Sequence, residues 1–132
     1  MNAVEREPDG AGFKIAFRAI PGGLRAHVVG TSSFETTVAS WRAILVEVRK
    51  RRPDVLLLID ELRGPALAAA QWQALVEALS GQGLEEVRIA HVKPFGLESV
   101  EYCEIFAREA GFDARVFDNE TAADLWLRYG GE

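Results

Sequence analysis

The segment that most limits the fold is "DVLLLID", Asp54–Asp60. It follows Pro53 and ends on a carboxylate. Its core is apolar at every position, without the alternation of a strand that faces water on one side. A run this short and this apolar fits a strand covered on both faces, which is the usual state of a central strand in a parallel sheet. The remaining elements must then supply helices for both faces.

Helices and strands alternate on either side of it. "FKIAFRAI" (Phe13–Ile20) places Phe13, Ile15 and Phe17 on one face and Lys14 and Arg18 on the other. "PGG" (Pro21–Gly23) is a turn, and "LRAHVVG" (Leu24–Gly30) returns as its hairpin partner. Ser32 and Glu35 have capping-box spacing, and Phe34, Val38, Trp41, Leu45 and Val48 form a helical stripe. That helix ends in the cations Arg49–Arg52 before Pro53, where they complement the negative helix terminus. Pro65 suits the first turn of a second helix, whose apolar face is Ala68, Trp72, Leu75, Val76 and Leu79; "SGQG" (Ser80–Gly83) closes it.

"EVRIAHV" (Glu86–Val92) reads as a third core strand. A helix over about Glu98–Ala110 carries Cys103, Phe106 and Ala110 on one side and stops at Gly111. "DARVF" (Asp113–Phe117) is a last short strand. Asp118 or Asn119 caps a final helix with Ala122, Leu125, Trp126 and Tyr129 as its apolar face. The order β-β-α-β-α-β-α-β-α predicts an α/β fold with a mostly parallel sheet and an antiparallel hairpin at its start. Residues 1–12 read as a flexible lead-in to a single domain over 13–130.

The net charge of −5 argues against a nucleic-acid partner. No apolar run approaches a membrane span, and "MNAVEREPDGAG" lacks the apolar centre of a signal peptide. A single cysteine cannot form an internal disulfide, so a reducing, cytoplasmic setting is expected.

Asp60 is the leading candidate for chemistry, because ligands of open α/β sheets bind beyond the carboxyl ends of the strands. Glu61 and Arg63 follow closely, and Lys93 ends the next core strand. A phospho-acceptor aspartate would need a second acidic group after the first strand to hold Mg²⁺, and "FKIAFRAIPGG" has none. Lys93 also follows Asp60 too closely for the lysine of a two-component receiver. Asp60 is therefore expected to close its strand, accepting loop N–H groups or pairing with Arg63. His27 and His91 lack ligand-spaced neighbours, so no metal is expected. Cys103, on an apolar face, reads as a small hydrophobe. No phosphate-binding glycine loop or nucleophile elbow is present, so neither a cofactor nor a catalytic centre is expected. Asp60, Glu61, Arg63 and Lys93 are instead expected to form a surface for a protein partner. A small apolar ligand beside the helices, near Trp41, Trp72 or Phe95, is the alternative. The open edge of the first hairpin could support a homodimer.

The C-terminal half carries a family resemblance. "EVRIAHV", the helix "EYCEIFAREAGF", the strand Arg115-Val116-Phe117, the polar cap Asp118-Asn119 and the helix segment Ala123-Asp124-Leu125-Trp126-Leu127 resemble SpoIIAA-like proteins of the STAS superfamily, including its SEC14-like group. The element order matches over about residues 13–129. The resemblance implies a STAS-like mixed sheet and a bacterial regulatory module. The superfamily's anti-sigma-factor antagonists are switched by phosphorylation of a serine at the start of the second helix. This chain has no Ser or Thr from Asp60 to Leu79, and "PALAAA" (Pro65–Ala70) stands at that helix start. The resemblance thus implies a regulatory fold without that switch.

Overall fold

The computed structural model describes residues 4–6 and 12–130. Its elements are β1 (Val4–Arg6), β2 (Phe13–Ile20), β3 (Gly23–Thr31), α1 (Phe34–Arg51), β4 (Val55–Arg63), α2 (Ala69–Leu79), β5 (Arg88–Val92), α3 (Glu101–Glu109), β6 (Asp113–Phe117) and α4 (Glu120–Tyr129). The six strands lie side by side in chain order. β1, β2 and β3 pair antiparallel, and β3 through β6 pair parallel. The α/β class and the order from Phe13 onward match the sequence reading.

Sequential strand order decides the layering. Each parallel crossover joins neighbouring strands, and right-handed crossovers between neighbours place every connecting helix on one face. Accordingly α1, α2 and α3 bury Trp41, Ile44, Trp72, Leu75, Cys103 and their neighbours against Leu56, Leu58 and Leu62 of β4. Helix α4 packs on the opposite face, with Ala123 and Leu127 against Leu57, Ile59, Ala90 and Val92. Both faces of β4 are covered, which is why "VLLLI" does not alternate.

The hairpin turns through Pro21-Gly22, and Gly22 adopts φ +71°, a conformation glycine reaches without strain. Gly23 is needed for a different reason. A Cβ there would lie 2.3 Å from Val55 Cγ2 and 2.4 Å from its carbonyl oxygen, so β3 could not approach the start of β4.

Several local expectations need correction. Val4–Arg6, placed in the loose lead-in by sequence, pairs with Ile15–Phe17 and occupies part of the hairpin edge that was expected to be open. The other lead-in positions, 1–3 and 7–11, lie outside the described residues. Ser33, not Ser32, caps α1: its Oγ accepts the Thr36 N–H at 3.0 Å. Helix α2 begins four residues after Pro65, and Gln71 Oε1 accepts the Ala68 N–H at its start. A 3₁₀ turn over Leu97–Val100 takes up the first part of the expected third helix. On α4 the buried seam is Ala123 and Leu127 with half-buried Trp126, while Leu125 and Tyr129 point outward. Asn119 is its cap, through the Ala122 N–H.

Candidate functional site

The carboxyl ends of β4 and β5 hold a buried charged cluster. Strand β4 does not stop at Asp60. It continues to Arg63, so Asp60 sits within the ladder on the α1–α3 face. The parallel register sets Leu58 beside His91 and Ile59 beside Val92. Alternate residues share a face, so Asp60, His91 and Lys93 converge under the helices.

All three are buried, at 7%, 3% and 7% exposure. Asp60 Oδ1 accepts the Leu62 N–H at 3.0 Å and a Lys93 Nζ–H at 3.2 Å. Asp60 Oδ2 accepts the His91 Nε2–H at 2.8 Å. Lys93 Nζ also donates to the Leu62 carbonyl. Burial pushes the Asp60 carboxyl up, but the His91 hydrogen bond and charge, the Lys93 charge and the Leu62 N–H outweigh it. The net effect holds Asp60 below the usual carboxylate range, as an anion. An ionised Asp60 offers only acceptor oxygens, so His91 Nε2 carries the proton in their hydrogen bond. The Trp41 ring meets the His91 ring edge-on, with centroids 6.1 Å apart.

The surroundings offer little room. Ser32, Thr37, Trp72 and Lys93 help line a cavity of about 10 Å³, enough for a water at most. A second cavity, of about 30 Å³, lies between Trp41, Leu75, His91, Cys103 and Phe112. Burial first, then the charges of Asp60 and Glu104, push the Cys103 thiol up to about 12, so it stays protonated. A protonated thiol beside a histidine already committed to a carboxylate is not an activated nucleophile. Among the described residues, no three His, Cys, Asp or Glu side chains gather where they could hold a metal ion.

The four residues expected to form one surface are therefore divided. Asp60 and Lys93 are inside, which corrects the expectation that they face a partner. Asp60 pairs with His91 and Lys93 rather than Arg63. Glu61 points to the opposite face, where its Oε1 accepts the His27 Nε2–H at 2.8 Å across the β3–β4 ladder. Arg63 is exposed and stacks its guanidinium 4.4 Å from the centre of the Phe95 ring. Both histidines thus have carboxylate partners that spacing along the chain does not reveal. The signal was parity: Leu58 and Asp60 share a face, as do Ile89, His91 and Lys93. Pairing these strands parallel and nearly in step brings the three charged groups together.

Ser32 ties the following loop to β3. Its N–H donates to the Arg63 carbonyl at 2.8 Å, and its Oγ donates to the Pro65 carbonyl at 3.2 Å. Gly64 passes over it at φ +145°, where a Cβ would sit 3.1 Å from the Ser32 carbonyl oxygen. The cationic end of α1 is also engaged. Arg51 Nε bonds the buried Glu47 at 3.1 Å, and Arg49 Nε bonds the Gln82 carbonyl at 3.2 Å. No helix among the described residues is long and apolar enough to cross a membrane. No family model matches the chain, and no curated protein matches it at a significant level.

Proposed function

We propose that this chain is a STAS-like, non-catalytic interaction or regulatory module of the cytoplasm. The observation that carries the reading is the closed state of the Asp60 cluster. The carboxylate accepts three hydrogen bonds, and Lys93 divides its donors between Asp60 and Leu62. Charged groups spent on each other under three helices hold β4 to β5; they are poorly placed to bind and turn over a substrate. What the same strand ends offer outward is Glu61 with His27, and Arg63 over the 58%-exposed Phe95 ring. An exposed aromatic under a guanidinium is a common anchor for a protein partner.

The test is affinity capture under mild salt with the wild type and with Arg63→Glu/Phe95→Ala, which leaves the buried cluster intact. A partner retained by the wild type and lost by the variant supports the reading. Identical captures by both proteins refute it. A small apolar ligand is the weaker reading, because the apolar cavity beside Trp41 is about 30 Å³, where ligand pockets run to roughly 300 Å³ or more.

A further inference from the structure

The outer face of the β2–β3 hairpin is cationic, in a chain whose net charge is −5. Lys14, Ala16 and Arg18 of β2 and Arg25, His27 and Val29 of β3 point away from α1–α3. Helix α4 packs on the neighbouring strands β4, β5 and β6. It reaches the hairpin face with Glu120, whose carboxylate accepts from Arg25 at 2.9 and 3.1 Å. Glu61 is committed in the same way, to His27 at 2.8 Å. Both acids are thus already engaged. Lys14, Arg18 and Arg63 are exposed, and among the described residues none of them has an ion-pair partner. The local field is felt at Glu120. The Arg25 hydrogen bond holds its carboxyl below the usual range against some burial, and the charges of Arg25, Arg18 and His27 add to the effect.

Strand register sets the outline of the patch. Lys14 lies level with Val29 and Glu61, Arg18 with Arg25 and Leu57, and Thr31 with Arg63. From Arg18 to Arg63 the path runs six residues along the strands and crosses β3, roughly 20 Å, the reach of about seven extended residues. Half-buried Ala16 and Val29 lie between the charges, and Phe95 stands exposed under Arg63 at the far end.

We propose that this face docks an extended acidic segment of a partner protein. Its carboxylates pair with Lys14, Arg18 and Arg63, and an apolar side chain of the segment rests beside Phe95. The inference rests on the reading of the chain as an interaction module, and it supplies the chemistry of the partner. Charge complementarity selects an acidic occupant. The spent acids select a polypeptide over a nucleic acid. A peptide can set neutral residues opposite Glu61 and Glu120, whereas a nucleic-acid strand carries a charge at every unit.

The experiment titrates the protein with a peptide of alternating Glu and Tyr, about eight residues long to match that span. Its Lys/Tyr counterpart and a single-stranded oligonucleotide are the controls, and amide chemical shifts report the contact. The acidic peptide should shift amides of β2, β3 and Arg63, and added salt should weaken it. Lys14→Glu/Arg18→Glu should weaken it by roughly tenfold or more. Both substituted side chains are exposed, so matching far-UV circular dichroism excludes misfolding. Absence of binding overturns the proposal. So does equal binding of the Lys/Tyr peptide, an unaffected double variant, or shifts confined to other faces. Tighter binding of the oligonucleotide would also overturn it, by assigning the face to nucleic acid. The affinity capture with Arg63→Glu/Phe95→Ala separates the two claims. If that variant loses a partner while the acidic peptide fails to bind, only the acidic chemistry falls. If the captures are identical, the interaction-module reading falls with it.

Discussion

Replacing Asp60 with Asn keeps the shape of the side chain and removes the negative charge that faces Lys93 and His91. The asparagine has a single acceptor oxygen where the aspartate has two, so its amide must face either the His91 Nε2 side or the Lys93 side. His91 can exchange tautomers and accept from an amide; Lys93 cannot accept at all. The lysine then keeps its charge in a site where its side chain is 9% exposed, with only the Leu62 carbonyl and a neutral amide as partners. Breaking one side of a buried ion pair costs about 3–5 kcal/mol. For a domain of this size that lowers Tm by roughly 15 °C. Lys93→Met should cost less, about 2–3 kcal/mol, because Asp60 keeps the His91 and Leu62 bonds. The double variant Asp60→Asn/Lys93→Met removes both charges and should recover most of the loss. Chemical denaturation followed by tryptophan fluorescence suits the measurement, since Trp41 packs on His91. If Asp60→Asn cost under about 1 kcal/mol, or the double variant cost the sum of the singles, the cluster would not be the coupled unit described here.

The same carboxylate gives acid unfolding a definite sign. The folded-state value for Asp60 lies below its ordinary 3.8, so its contribution is complete above that pH and is lost as pH falls through the lower, folded-state value. Stability of the wild type should decline over that acidic window, and Asp60→Asn should lack that part of the decline in denaturation series across pH. Cys103, pushed up to about 12, should resist a thiol reagent in native protein at mildly alkaline pH and react promptly once unfolded; fast native labelling would contradict its burial. Ser33→Ala should cost about 1 kcal/mol by removing the α1 cap, and Ser32→Ala should cost less in the same denaturation assay. Gly23→Ala should cost at least about 1–3 kcal/mol, because its Cβ must displace Val55; a neutral result would mean that the β3–β4 approach is looser than drawn.

The elements from Phe13 onward were legible because their signals are local. Alternation marked β2, unbroken hydrophobicity marked β4, and turn residues divided the chain. Caps and faces were read less well where several residues could serve. Ser32 and Ser33 are both good caps, and tertiary contacts chose Ser33 by drawing Ser32 to the Pro65 carbonyl. The α1 seam includes Thr36, Thr37 and Ser40, which a purely apolar pattern passes over. These hydroxyls tolerate burial because they bond within their own helix turn, as Ser40 Oγ does to the Thr37 carbonyl at 2.9 Å. Strand β1 has only three residues, too few for a periodic signal. The Asp60 cluster was hidden for another reason: its members are 31 and 33 residues apart, and only strand register joins them.

Register also separates two roles along one strand. Even-numbered positions of β4, Leu56 through Leu62, face α1–α3, so an acid placed among them had to find its counter-charge inside; Asp60 found it in His91 and Lys93. Odd-numbered positions face α4, and beyond Ile59 they pass out from under that helix. There Glu61 meets a partly exposed histidine, and Arg63 meets an exposed aromatic ring. A one-residue slip of β4 would exchange these sets, turning Asp60 away from His91 and Lys93 and bringing the longer Glu61 or the apolar Ile59 into its place. The buried cluster therefore fixes the register that presents Glu61 and Arg63 outward. Even a partner that touches only the outer set should be sensitive to Asp60→Asn, through loss of strand alignment rather than through lost contact. Repacking the lock in Asp60→Asn/Lys93→Met should restore binding along with stability, whereas a direct Asp60 contact would leave binding lost in the double variant.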